Sequence, residues 1–300
     1  MAFEVRTDLA LESGERIFQE PVEIHGVRIE EKQSVYDDIK TTVVYIESEN
    51  GSKAMGKPQG CYITIEAANL MEGEESYRKQ VQQEMAKQMR CLFPVKKDCS
   101  VLVVGLGNQN ITPDALGPWM VEKLQITRHL IQNYGKEYLD IGTDHQISAL
   151  TPGVMASTGM ESLEIIKGVV EQTKPDFVIV VDALAARGLK RLCRTIQMTD
   201  VGIHPGSGVG NHREGITKET LGVPVLGIGV PTVVDGATIV CDAMERMMNC
   251  LEKKEREHFL EEMLTPNLRS MFVTPRDVDE SVRILSQIVA DGINEAFRRV

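Results

Sequence analysis

The sequence predicts an α/β fold of three layers, αβα, with a parallel or mixed central sheet, plus a small, mostly antiparallel β unit at the N-terminal side. Three observations predict it. From Cys99 onward, short apolar runs at 100–105, 176–181 and 223–230 alternate with amphipathic helical stretches. That is the pattern of strands buried on both faces and covered by helices. Before that, the segment from Glu23 to about Ala67 is β-branched, aromatic and alternating, with turn formers at Asn50-Gly51 and 58–60 between its strand-like runs 41–46 and 61–65. Finally, 300 residues with 42% hydrophobic and 26% charged side chains are enough for one large core. We therefore expect an N-terminal β-rich unit over 9–98 joined without a flexible linker to an α/β core over 99–300, in one integrated domain.

The individual elements follow from period and caps. Residues 75–92 place Val81, Met85, Met89 and Leu92 on one helical face. A helix is predicted over 113–125, with Thr112 as its cap, Pro113 at its first position and Asp114 at its second. Another over 160–172 aligns Leu163, Ile166, Val169 and Val170. Residues 195–198 alternate and read as an edge strand, and 237–251 as a Met-rich helix. The last helix carries the stripe Val278, Val282, Leu285, Val289, Ile293 and Phe297, with Thr274 as cap, Pro275 at its first position and Asp277 in a capping-box-like place.

Composition excludes several classes. Neither a polar low-complexity tract nor an apolar run near the ~20 residues of a membrane span is present. The first 30 residues are too charged for a signal-peptide core, so a cytosolic protein is expected. A net charge of −11 argues against direct binding to nucleic-acid phosphates and suits a basic partner. Six scattered cysteines without a CxxC pair favour reduced, buried thiols over zinc or a redox dithiol.

In open α/β sheets ligands sit beyond the carboxyl ends of the strands. Four segments are expected there. The first, 105–118, brings Gly105, Gly107 and Asn108, whose small residues let backbone approach closely, and Asp114, which is either a functional acid or a first-turn acid on the helix dipole. In the second, Asp182 directly follows an apolar strand, where a carboxylate costs desolvation unless it is paired. It is either a functional acid, a cap of the turn after it, or a partner of Arg187. The third, 202–211, contains His204, Gly206, Ser207 and Gly208; its amides could form an anion or oxyanion site. His204 reads first as a hydrogen-bonded loop histidine, with base or metal ligand as alternatives. In the fourth, 227–235, Asp235 reads as a helix cap. Two carboxylates meeting at the strand ends could share a proton and activate water, or, with His204, hold a divalent metal. The Gly-x-Gly-Asn at 105–108 lacks the third glycine of a dinucleotide site and the Lys and Ser/Thr of a P-loop.

At these residues the chain resembles the germination protease family of spore-forming bacteria. The likeness runs through VRTDLA (5–10), LVVGLGN (102–108), TPDALGP (112–118), ITRHL (126–130), PGVM (152–155), PDFVIVVDALAAR (175–187), GIHPGSGVGN (202–211), VPTVVD (230–235) and VTPRDVD (273–279). The segment 250–264 is shorter than the charged link of some members. The resemblance implies a cytoplasmic, spore-core endopeptidase that starts degradation of small acid-soluble, DNA-coating spore proteins. It also implies a zymogen that removes its own N-terminal segment. Family cleavage after an acid, before an apolar residue and alanine, fits Asp8-Leu9-Ala10, making 1–8 a propeptide. The two proposed catalytic aspartates of the family map onto Asp114 and Asp182, no cofactor is implied, and the assembly is a homotetramer. A more distant likeness to hydrogenase-maturation endopeptidases, which contact nickel, keeps a metal site of Asp114, Asp182 and His204 open. A phosphate-binding small-molecule enzyme and a non-catalytic binder of spore proteins are the competing readings.

Overall fold

The computed structural model describes residues 7–17, 25–33, 38–93, 98–136, 142–205, 214–240, 268 and 271–299. Their centre is one mixed nine-stranded sheet: β1 (Val27–Gln33), β2 (Ile39–Ile46), β3 (Gly60–Ala67), β4 (Ser100–Gly105), β5 (Gln146–Leu150), β6 (Phe177–Ala186), β7 (Thr195–Thr199), β8 (Val225–Asp235) and β9 (Phe272–Val273). Its order is β1-β2-β3-β7-β8-β6-β4-β5, with β9 added beside β8. The run β5-β4-β6-β8 is parallel, and the run β1-β2-β3-β7-β8 is antiparallel. The N-terminal strands thus extend the same sheet as the α/β part.

Strand alternation divides the core. Val101 and Val103 of β4, with Phe177, Ile179 and Val181 of β6, face one layer, and Leu102, Val104, Val178 and Val180 face the other. The first layer holds α3 (Glu75–Leu92), α4 (Leu116–Val121) and the last helix, Val278–Ala296. Val81, Met85 and Met89 of α3 are buried against Val282, Leu285, Val289 and Ile293. The second layer is α7 (Ser162–Thr173), which presents Leu163, Ile166 and Val170 and starts at a Glu161/Glu164 capping box.

Four expectations are corrected. The strand at 195–198 is internal, not an edge: β7 pairs with both β3 and β8, and all five of its residues are buried. Its Gln197 turns to the N-terminal segment, accepting from Ala10 N at 2.7 Å. The helix expected over 113–125 is a 3-10 turn, Thr112–Asp114, followed by the short α4, because Gly117 packs flat on the end of β4 and the chain then leaves through turns at 122–124. Thr112 accordingly opens the turn and does not cap a helix. The last helix starts at Val278, and Asp277 makes no side-chain cap bond. Pairing of β9 with Val234 and Asp235 holds Thr274 and Pro275 outside the helix. Asn50-Gly51, a turn signal in sequence, lies inside α2 (Glu49–Met55), whose N-terminus is capped by Ser48 Oγ accepting from Gly51 N at 3.0 Å. Of the Met-rich helix, residues 236–240 are helical and the rest lies outside the described residues.

Leu285 is completely buried between α3, α4 and the sheet. Leu285→Ala is expected to cost about 3 kcal/mol of unfolding free energy in a denaturant titration, through lost burial and the cavity left behind.

Candidate active site

The site begins where β4 stops. Gly105 is opposite Val181 of β6, and Leu106 N donates to Val181 O at 2.8 Å before the chain turns away. A Cβ on Gly105 would lie 2.2 Å from Gly117 O, so the glycine pair brings α4 directly onto the strand end. Gly107 has φ +115°, and a Cβ there would stand 1.9 Å from Asp114 O. This close approach lets Asn108 N donate both to Asp114 O at 3.1 Å and to Asp114 Oδ2 at 2.8 Å. Asp114 N in turn donates to Ile111 O at 2.8 Å, and Thr232 Oγ1 donates to Pro113 O at 2.6 Å. The Asp114 carboxylate is therefore fixed by the loop itself. The Asn108 side chain accepts from Asn110 N and serves its own turn.

Asp182 does not end its strand. β6 runs on through Ala186, so the turn expected after Asp182 is extended backbone held by β8 on one side. On the other side β4 has stopped, and among the described residues no strand covers β6 past Val181. The amides on that edge are met by carboxylates. Ala183 N donates to Asp182 Oδ1 at 2.9 Å, and Ala185 N to Asp8 Oδ2 at 2.9 Å. Arg187 N and Gly188 N donate to the two oxygens of Glu12 at 2.7 and 3.0 Å. Asp8 N also donates to Ala185 O at 3.0 Å, which seats the N-terminal segment along this edge. Leu9 then enters the main core, and Ala10 a smaller one with Val44, Ile46, Met55 and Tyr62. Glu12 is further paired with Arg191 and accepts from Thr7 Oγ1.

Asp114, Asp182, Asp8 and His204 border one cavity of about 430 Å³, with Gly107 and Thr232 also in its wall. The two acids singled out in the sequence thus border one cavity, Asp182 from within β6 and Asp114 from the turn that follows β4. Asp8 faces Ala185, three residues past Asp182, about 10 Å along the strand at ordinary rise. His204 borders this cavity and a smaller one that also contains Lys57 and Gln197, and its imidazole lies against Gly215. Burial, then the charge of Lys57, holds its pKa below 6.5. Gly206, Ser207 and Gly208 fall outside the described residues. Asp235 Oδ1 accepts from Thr238 N at 3.1 Å, the cap its position predicts. Among the described residues no three His, Cys, Asp or Glu side chains form a metal-sized group. Lys57, Gln197, Thr232 and Glu12 are site-forming residues that the sequence did not single out. Only Gln197 carried a signal, a polar residue in an otherwise strand-forming run.

Residues 2–253 match the family model described as Germination protease. Germination protease of Caldanaerobacter subterraneus subsp. tengcongensis is 46% identical, the match covering 98% of this chain and 94% of that protein. That of Clostridium perfringens is 43% identical, over 99% and 96%. That of Bacillus subtilis is 37% identical, over 98% and 93%. Among solved structures, a NiFe hydrogenase maturation protease of Thermococcus kodakarensis aligns with 18% identity and a TM-score of 0.34, over 69% of this chain and 98% of that one.

Two outcomes test the site's construction. Gly107→Ala is expected to push Asp114 off its loop, abolishing activity in a peptidase assay while the far-ultraviolet circular dichroism spectrum stays that of the parent. His204, disfavoured as a cation, gives the folded chain less proton affinity than the unfolded one. Its contribution to stability is therefore complete above pH 6.5 and falls below it. His204→Asn is expected to flatten the fall of melting temperature with pH in that acid range.

Proposed function

The chain belongs to the germination protease family and is a peptidase, and from that premise we propose that Asp114 and Asp182 activate the water that cuts the peptide bond. We propose further that the chain is a zymogen, cut first at its own Asp8–Leu9 bond and then acting on small acid-soluble, DNA-binding proteins in the spore core, as a homotetramer. The observation that carries this reading is the shared cavity of the two carboxylates with Asp8 at its edge. In this reading the two acids share one proton, one acting as the base and the other as the acid. The base takes a proton from water as the oxygen attacks the carbonyl carbon, and the acid gives its proton to the departing nitrogen.

The seating of Asp8 supports self-processing: it borders the same cavity as the two acids, with its carboxylate on the amide of Ala185. Removing residues 1–8 would uncover the amide of Ala185 and one side of the cavity. A net charge of −11 suits encounter with basic substrates, and His204 and Pro205 border the cavity.

Asp114→Asn and Asp182→Asn are each expected to abolish self-cleavage and the appearance of fragments from a basic spore protein, with the melting temperature nearly unchanged. Normal processing by either variant refutes the acid pair. Activity that disappears with chelator and returns with a divalent metal would replace it by a metal site at the same residues.

A further inference from the structure

We propose that Lys57 and Gln197 form a two-donor grip on the carbonyl of the bond that is cut, positioning it and drawing charge onto its oxygen as water adds. This rests on the reading of Asp8–Leu9 as a cleavage site and adds residues to it. Lys57 Nζ donates to Asp8 O at 2.9 Å and to Thr7 O at 3.5 Å. Gln197 Nε2 donates to the same Asp8 O at 3.2 Å, and its Oε1 accepts from Ala10 N at 2.7 Å. One side chain therefore spans the bond, holding the carbonyl before it and the second amide after it.

Both donors are rigidly mounted. Gln197 is on a strand paired on both sides. The backbone of Lys57 is held by its N–H to Ser52 O at 3.2 Å and by Ser52 Oγ donating to its carbonyl at 2.6 Å. Donors about 3 Å from an oxygen that is becoming an oxyanion strengthen as charge develops, which is how such groups lower barriers.

Lys57 is partly buried, and a partly desolvated ammonium is costly unless it is hydrogen-bonded. Burial lowers its pKa against the pull of the Asp8 and Glu12 carboxylates, and His204 borders the same small cavity. Its side-chain hydrogen bonds among the described residues go to the carbonyls of residues 7 and 8, the end of the proposed propeptide. When that piece leaves, the ammonium needs another carbonyl, and the main chain of a substrate supplies one. Since the hydrogen bonds of Lys57 and Gln197 to this segment go to main-chain atoms, any acid–apolar–alanine segment in this seat would be gripped alike.

In the step itself the oxygen of one water bonds to the Asp8 carbonyl carbon and the bond from that carbon to Leu9 N breaks. Both water protons end on the leaving nitrogen by way of the acid pair, one as the water adds and the other from the new carboxyl group, giving a carboxylate on Asp8 and an ammonium on Leu9. Lys57 and Gln197 keep their protons.

The test uses the full chain and two readouts: the first-order rate of self-cleavage at Asp8–Leu9, and hydrogen-exchange protection of the Ala185, Arg187 and Gly188 amides, which reports whether the N-terminal segment is seated. Lys57→Met is expected to slow cleavage about 100-fold or more and Gln197→Met about 10-fold, by analogy with loss of one oxyanion donor, with protection retained. Lys57→Arg is expected to recover part of the rate. A parental or faster rate in both Met variants overturns the proposal. So does a rate loss matched by loss of protection, which would make the two residues anchors only. Asp114→Asn, run alongside, separates the readings. If it still cuts, the acid pair fails whatever Lys57 does. If it is inactive while Lys57→Met and Gln197→Met cut normally, the grip alone fails. A parent chain that never cuts at Asp8–Leu9 overturns the grip and the zymogen reading together.

Discussion

Two neighbouring parallel strands of unequal length set up this molecule's site. β4 ends at Gly105 opposite Val181, and β6 continues through Ala186. The continuing strand must satisfy its outward amides with something other than a strand, because an unpaired buried N–H costs about as much as a lost hydrogen bond. Carboxylates do this at every second residue: Asp182 at Ala183, Asp8 at Ala185, and Glu12 at Arg187 and Gly188. The same edge thereby gathers negative charge and seats the N-terminal segment. The early end of β4 also opens the cavity onto which Asp114 is turned.

Gathering acids in a poorly solvated place is costly by itself. Asp182 and Glu12 are 7% and 3% exposed, a degree of burial that charged groups tolerate only with partners. The main-chain amides supply charge-assisted hydrogen bonds, and Arg191 and Lys57 supply opposite charge. Those partners come from segments far apart in the chain: the loop after α2, the turn after β6, and residues 7–12. The site is therefore held by the same contacts that hold the N-terminal segment, so departure of that segment changes the electrostatics of the cavity as well as its access.

Legibility in the sequence followed the strength of local signals. Elements with one dominant apolar face, such as α3, α7 and the last helix, match their predicted stripes, since a 3.6-residue period survives any tertiary context. Three kinds of feature did not read through. β5 is a five-residue strand at the sheet edge with only Ile147 fully buried, too short and too mixed to announce itself. β7 alternates like an edge strand, yet it is buried, and its Gln197 faces the N-terminal segment. The long helix expected after Asp114 is the short α4, whose close approach to the strand end through Gly105 and Gly117 no periodicity encodes.

Local composition and ordered motifs were enough to read the α/β class, the apolar runs that lead to Asp114 and Asp182, and the family. They also marked Asp235 as a cap, a purely local role. Only the tertiary structure decided that Asp182 lies within a strand, that Asp8 lies alongside Ala185, and that Lys57 and Gln197 hold the Asp8 carbonyl. Each of those facts is a pairing between segments distant along the chain, and such pairings are fixed by which strand stops first and which edge it leaves open.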